Sequence, residues 1–217
     1  MKVIAVNGSP RKKWNTATLL QEALAGAAEA GAETEMINLY ELDYTGCRSC
    51  FACKLKGKRL SVCAVHDGLR ETLEKIEHCD ALVVGTPMYF NSITGMTQSF
   101  LERLWFPLAS YSFEPTSFPK PIPNAVIYTM NVPEQVALAP DGYALQIGRI
   151  ERDMDRLIGP SQHLLSCQTY QWDYDRYECT AIDGDERKRR HDTVFQEEMT
   201  KARELGASLV RSAGMTA

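Results

Sequence analysis

The 217-residue chain is 44% hydrophobic and 24% charged, with a formal net charge of -4. That describes an ordinary soluble protein with enough chain for one large α/β core, and the absence of a basic excess argues against nucleic acid as the main partner. No apolar run approaches a membrane span and the chain starts on a core strand with no signal-peptide pattern, so a cytoplasmic location is expected, in which the seven cysteines are not a disulfide framework.

Val3-Ile4-Ala5-Val6 is continuously apolar, as a strand buried on both faces of a parallel sheet should be, and it stops at the turn cluster Gly8-Ser9-Pro10. A helix is predicted over 16–29, then a second strand over 35–39. A cysteine-rich segment at 46–66 precedes a helix at 67–76 and a third buried strand at 80–85, which runs into the loop Thr86-Pro87-Met88-Tyr89-Phe90-Asn91-Ser92. A helix at 93–105, an irregular Pro- and aromatic-rich loop at 106–123, a fourth strand at 125–128 and an amphipathic helix at 143–157 follow. A fifth strand at 163–170 and one long helix at about 185–212 complete the chain. Alternating strand and helix signals predict an α/β three-layer sandwich, a five-stranded parallel sheet in the order 2-1-3-4-5, built as a single domain over 1–217.

A strand that delivers a hydroxyl-rich loop to a helix start gathers unpaired N–H groups, side-chain donors and the positive end of the helix dipole. The loop after the first strand lacks the spacings of dinucleotide folds and nucleotide triphosphatases, so its neutral donors Ser9, Asn15, Thr16 and Thr18, with Arg11, suit one phosphate monoester. It also reads as an ordinary βα turn with a capped helix. In the expected strand order it borders a crevice with the Thr86 loop, where Tyr89 and Phe90 offer aromatic surface. A ligand with a phosphate at one end and a planar ring at the other, such as flavin mononucleotide (FMN), fits both.

Gly8-Ser9-Pro10-Arg11 with Asn15-Thr16, then Gly85-Thr86-Pro87-Met88-Tyr89 with Asn91-Ser92 and Gly95, resembles the flavodoxin-like NADPH-dependent FMN reductase superfamily. Cys47, Cys50, Cys53 and Cys63, with Asp67, look like its iron–sulfur flavoprotein branch. The resemblance implies that Ser9, Arg11, Asn15, Thr16 and Thr18 hold the FMN phosphate, that Pro87, Met88, Tyr89, Phe90 and Asn91 pack on the ring, and that Asn131 touches it. Trp14 stands where a Gly is common, and Gln98 and Glu102 replace a usual Lys and Asp.

Thiolates two residues apart can wrap one centre, but the fourth cysteine comes after nine residues, later than in the resembling branch. A [4Fe-4S] cluster, a structural zinc, and reduced thiols or a labile disulfide all stay open. Lys54, Lys56, Lys58 and Arg59 either compensate an anionic cluster or form a solvated basic loop. The run Arg187-Lys188-Arg189-Arg190 either meets the extra phosphate of NADPH or is a solvated helical face. No catalytic side chain stands out, which suits chemistry carried by a cofactor. The expected function is an FMN-dependent NAD(P)H oxidoreductase reducing a quinone, flavin or similar planar acceptor. The alternatives are an electron carrier between FMN and a [4Fe-4S] cluster, with a redox protein as partner, and a non-catalytic flavin-binding sensor. Tyr89, Tyr170 and Trp172 either frame a substrate pocket or belong to a dimer interface, and the aromatic loops point to a homodimer or homotetramer.

Overall fold

A computed structural model of the chain describes residues 1–56, 61–111 and 119–215. The apolar run at the N-terminus becomes β1 (Lys2–Asn7), which pairs in parallel with β2 (Glu33–Asn38) on one side and β3 (Ala81–Tyr89) on the other. Beyond β3 lie β5 (Asn124–Thr129) and β6 (Ser161–Ser166), again parallel, while the short β4 (Ser92–Ile93) folds back antiparallel on the end of β3. The sheet order β2-β1-β3-β5-β6 is the expected 2-1-3-4-5 of five parallel strands, relabelled by the sixth.

Successive side chains of a strand point to opposite faces, and both faces of this sheet are covered. Val3 and Ala5 pack with Leu19, Leu20 and Ala23 of α1 (Asn15–Glu29) and with Phe195 and Leu209 of the C-terminal helix. Ile4 and Val6 face the opposite layer, built by α2 (Arg70–Glu77), α3 (Gly95–Leu108), the short α4 (Glu134–Ala137) and α5 (Ala144–Leu157). The chain therefore leaves β1 toward one face and β3 toward the other, which opens a crevice between their C-terminal ends.

Three expectations need correction. The stretch from Thr86 is not a loop: β3 runs on to Tyr89, and the type of turn at Phe90-Asn91, both left-handed with φ of 49° and 61°, makes a hairpin with β4. Pro87, which has no N–H to donate, is tolerated because β1 stops pairing at Gly85 and only β5 flanks it. The fifth strand ends at Ser166, with Gln168 left-handed just beyond it. The long terminal helix is two, α6 (Gly184–Asp192) and α7 (Val194–Met215), broken at Thr193, whose hydroxyl turns back to donate to the Arg189 carbonyl. Of the irregular 106–123 stretch, its start closes α3 and 112–118 lie outside the described residues, as do Lys58 and Arg59.

Helices α1 and α7 meet at bare backbone. A Cβ on Gly26 would lie 1.9 Å from the Arg203 carbonyl oxygen, and one on Gly206 would lie 1.8 Å from that of Ala23, so each position is confined to glycine by its neighbour's main chain.

Candidate functional site

At the end of β1 the side chain of Asn7 accepts from the Ser9 N–H (3.0 Å) and the Ser9 hydroxyl oxygen accepts from the Arg11 N–H (3.2 Å), curling the loop back on itself. Gly8 donates to the Gly85 carbonyl at 2.7 Å, so the loop is seated on β3. The first turn of α1 follows at once. Its N–H groups at Asn15, Thr16 and Ala17 find no acceptor among the described residues, which leaves the positive end of a 15-residue helix facing the crevice.

A cleft of about 150 Å³ opens there, lined on one side by Ser9, Arg11, Trp14, Asn15 and Thr16 and on the other by Pro87, Met88 and Tyr89. Ser9, Asn15 and Thr16 are all buried, and the Thr16 hydroxyl lies 2.7 Å from that of Thr129 at the end of β5. Asn131 also lines the cleft. Of the eleven residues expected at a cofactor, three do not line the cleft. Thr18 sits one turn further along α1, and Phe90 and Asn91 form the hairpin tip, where Phe90 is fully exposed. The remaining eight, Ser9, Arg11, Asn15, Thr16, Pro87, Met88, Tyr89 and Asn131, are brought together.

The far wall comes from residues after β6. Asn15 Nδ2 donates to the Tyr170 carbonyl at 2.7 Å, Trp14 Nε1 donates to the same oxygen at 3.1 Å, and Arg11 donates to the Gln171 carbonyl. Thr169, Gln171 and Trp172 line the cleft as a result. Position alone marks Thr129 and Thr169 as candidates, because both stand at or beyond a strand's C-terminal end. Two buried polar atoms on cleft-lining residues, Asn131 Oδ1 and Trp172 Nε1, have no hydrogen-bond partner among the described residues. The basic run divides: Lys188 and Arg189 are exposed, whereas Arg187 donates to the Asn131 carbonyl at 3.1 Å and Arg190 pairs with buried Glu198. The run is thus a solvated face at Lys188 and Arg189 only.

The cysteine segment forms a second site on the other face. Cys47, Cys50, Cys53 and Cys63 all line one narrow recess of about 10 Å³ against α3. Backbone turns at Ser49 and Phe51, left-handed at φ of 49° and 55°, swing the chain on either side of Cys50. At its base Arg103, 1% exposed, spends every N–H: Nε on Cys63 Sγ (3.0 Å), Nη1 on the Thr45 carbonyl and Asp67, and Nη2 on the Val65 carbonyl and Asp67. The Arg103 fork holds the Asp67 carboxyl below its usual range, and burial pushes the Cys53 thiol up. Glu102 accepts from the Cys47 N–H, which gives that departure from the family pattern a local role. Among the described residues no three metal-binding side chains stand together as a ligand set.

Residues 1–120, more than half of the chain, match the family of NADPH-dependent FMN reductases. The chain belongs to that family. Relatives of this FMN reductase-family protein include an iron–sulfur flavoprotein of Methanocaldococcus jannaschii, 38% identical over 103 residues (48% of this chain, 51% of the relative), and one of Archaeoglobus fulgidus, 39% identical over 103 residues (48% of each). The matched region thus spans about half the length of these relatives. In fold it is similar to an NAD(P)H:quinone oxidoreductase from Methanothermobacter marburgensis, with a TM-score of 0.70 at 18% identity over 96% of this chain and 98% of the other. An azoreductase from Bacillus anthracis gives 0.65 at 12% identity, over 96% and 99%. Cys167 and the α6–α7 pair lie beyond the family match, as does the whole far wall of the cleft. No helix of the described residues is long and apolar enough to cross a membrane.

Proposed function

We propose that this protein is an FMN-dependent NAD(P)H oxidoreductase that passes reducing equivalents to a quinone, flavin or similar planar acceptor. The observation that carries the reading is the cleft itself: three unpaired N–H groups and the Ser9 hydroxyl at one end, Met88 and Tyr89 at the other. Those residues fit FMN. Ser9, Arg11, Asn15 and Thr16 would surround a terminal phosphate, for which a helix N-terminus is a ready-made seat, and Arg11 keeps four N–H donors after its bond to Gln171. Pro87, Met88 and Tyr89 would flank the ring, and the unpartnered Asn131 Oδ1 and Trp172 Nε1 would meet its polar edge or chain. Bound FMN supplies hydride and electron transfer. The protein's own part is to seat it, expose one face and exclude water. The chain reads as one FMN-binding unit with 46–66 as an insertion, active as a homodimer or homotetramer through exposed Phe90, Phe51 and Tyr111, in a reducing cytoplasmic setting that suits seven free thiols.

Titrating FMN into the apoprotein and following flavin absorbance anaerobically tests this. The expected result is stoichiometric binding and rapid bleaching by NADPH or NADH; absence of binding, or of reduction by either nucleotide, refutes it. A second reading, an iron–sulfur flavoprotein, is favoured by four cysteines gathered at one recess and by the names of the relatives above. The thiols are the right donors for a cluster, but among the described residues they do not form a closed set. Iron and sulfide content of anaerobically purified protein decides between them.

A further inference from the structure

We propose that Arg187 is a buried counter-charge that makes the cleft hold reduced FMN more tightly than oxidised FMN. The inference rests on the FMN reading and goes beyond it, and it concerns α6, which lies outside the residues that match the family. Along the run Arg187-Lys188-Arg189-Arg190, Lys188 pairs with Asp192 and Arg190 pairs with Glu198. Arg187 differs: it is half-buried, and no carboxylate among the described residues pairs with it. Its Nη2 donates to the Asn131 carbonyl at 3.1 Å, and its Nη1 is buried with no hydrogen-bond partner among the described residues. Asn131 joins the two places, since its carbonyl anchors the guanidinium and the residue lines the cleft beside Trp172, with Oδ1 unpartnered among the described residues.

A cation drawn out of water without a counter-ion is costly, and an anion in the adjoining cleft offsets that cost. The phosphate does not serve, because its own donors, Ser9, Arg11, Asn15 and Thr16, stand at the start of α1. The ring of oxidised FMN is neutral and does not serve either. Reduction supplies the charge. The hydride from NAD(P)H carries two electrons and one proton: its C–H bond breaks, an N–H bond forms on the ring, NAD(P)⁺ departs, and one net negative charge stays in the cleft with no further proton needed. Arg187 is already fixed by the Asn131 carbonyl when that charge arrives, so it favours the reduced state without rearranging. It does not itself line the cleft, so it acts across a protein interior that screens charge less than water does, as a positioning residue tied to Asn131.

The test is the ratio of the oxidised to the reduced FMN dissociation constant, titrated anaerobically into the apoprotein at neutral pH. Wild-type protein is expected to bind the reduced form more tightly. Arg187→Gln keeps a donor for the Asn131 carbonyl without the charge, and is expected to lower the ratio by about tenfold, equal to a fall of about 30 mV in the two-electron potential of bound FMN. Arg187→Met replaces it should the glutamine variant fail to fold, as judged by its melting curve. Lys188→Met, one residue along on the exposed face, is expected to keep the wild-type ratio. Equal weakening of both forms by Arg187→Gln would make Arg187 only a strut for the Asn131 loop and overturns the inference. So does an unchanged ratio, a wild-type preference for the oxidised form, or a Lys188→Met ratio as low as that of Arg187→Gln. In each of those cases FMN still binds and the FMN reading stands, whereas wild-type protein that binds neither form overturns the FMN reading instead.

Discussion

The crevice between β1 and β3 and the cysteine recess against α3 differ in how their polar groups are spent. At the crevice, backbone donors, Asn131 Oδ1 and Trp172 Nε1 stand without hydrogen-bond partners among the described residues. In the recess, all five N–H groups of Arg103 are taken by residues on both ends of the cysteine segment. Unmet hydrogen-bonding capacity in a buried place costs stability unless something else supplies it, which is the physical ground for proposing the first region as the ligand site. The second is shaped first to hold its own chain, with four thiols arranged around that joint.

Asp67→Ala is the strongest way to break this contrast. It strands a buried guanidinium and is expected to destabilise the fold by about 3–5 kcal/mol in urea unfolding, with FMN affinity little changed in the folded fraction. Because the carboxyl is held below its ordinary value of 3.8, its stabilisation is complete above that pH and is lost as pH falls through the lowered folded-state value. The difference between wild type and variant should therefore be largest at neutral pH and shrink in acid. Ser9→Ala is the converse: it removes a donor to a charged group and is expected to weaken FMN binding by about 1.5–3 kcal/mol in a titration, with a nearly unchanged unfolding midpoint. Thr94 lies between the two regions, capping α3 through the Thr97 N–H and donating to the Gly8 carbonyl at 2.8 Å. Thr94→Ala should cost about 1 kcal/mol of stability and also weaken FMN binding measurably. Arg203→Ala, which breaks partly exposed pairs with Glu22 and Glu29, should barely move the unfolding midpoint and leave FMN affinity unchanged; a change in affinity would mean that the two regions are not separable.

The sheet and the near side of the cleft were legible because their signals are local. Val3 to Val6 is apolar without interruption, and the loop after it carries its donors within ten residues. The far wall was legible in part: Tyr170 and Trp172 read as aromatics that could frame a pocket, but Tyr170 and Gln171 act through their carbonyls, which no side-chain pattern reveals. The break at Thr193 was also hidden: neither Gly nor Pro marks it, and it is imposed by Phe195 entering the core and Arg190 turning to Glu198. Arg103 did leave a trace. It falls at helical spacing from Phe100 and Pro107, on the apolar stripe of α3, where a charged residue needs a buried partner. Extension of β3 through Pro87 was missed because a proline there is acceptable only once β1 has ended, a fact of register and not of sequence.

The glycine contact of α1 with α7 has a mechanical consequence. With carbonyl oxygens where Cβ atoms would be, neither rod can be thickened at that crossing without sliding the other lengthwise. Because the leading end of α1 borders the cleft, a methyl group added at Gly206, at the helix crossing and not in the cleft, would shift the amides proposed to seat the phosphate as a block and register as lost FMN affinity.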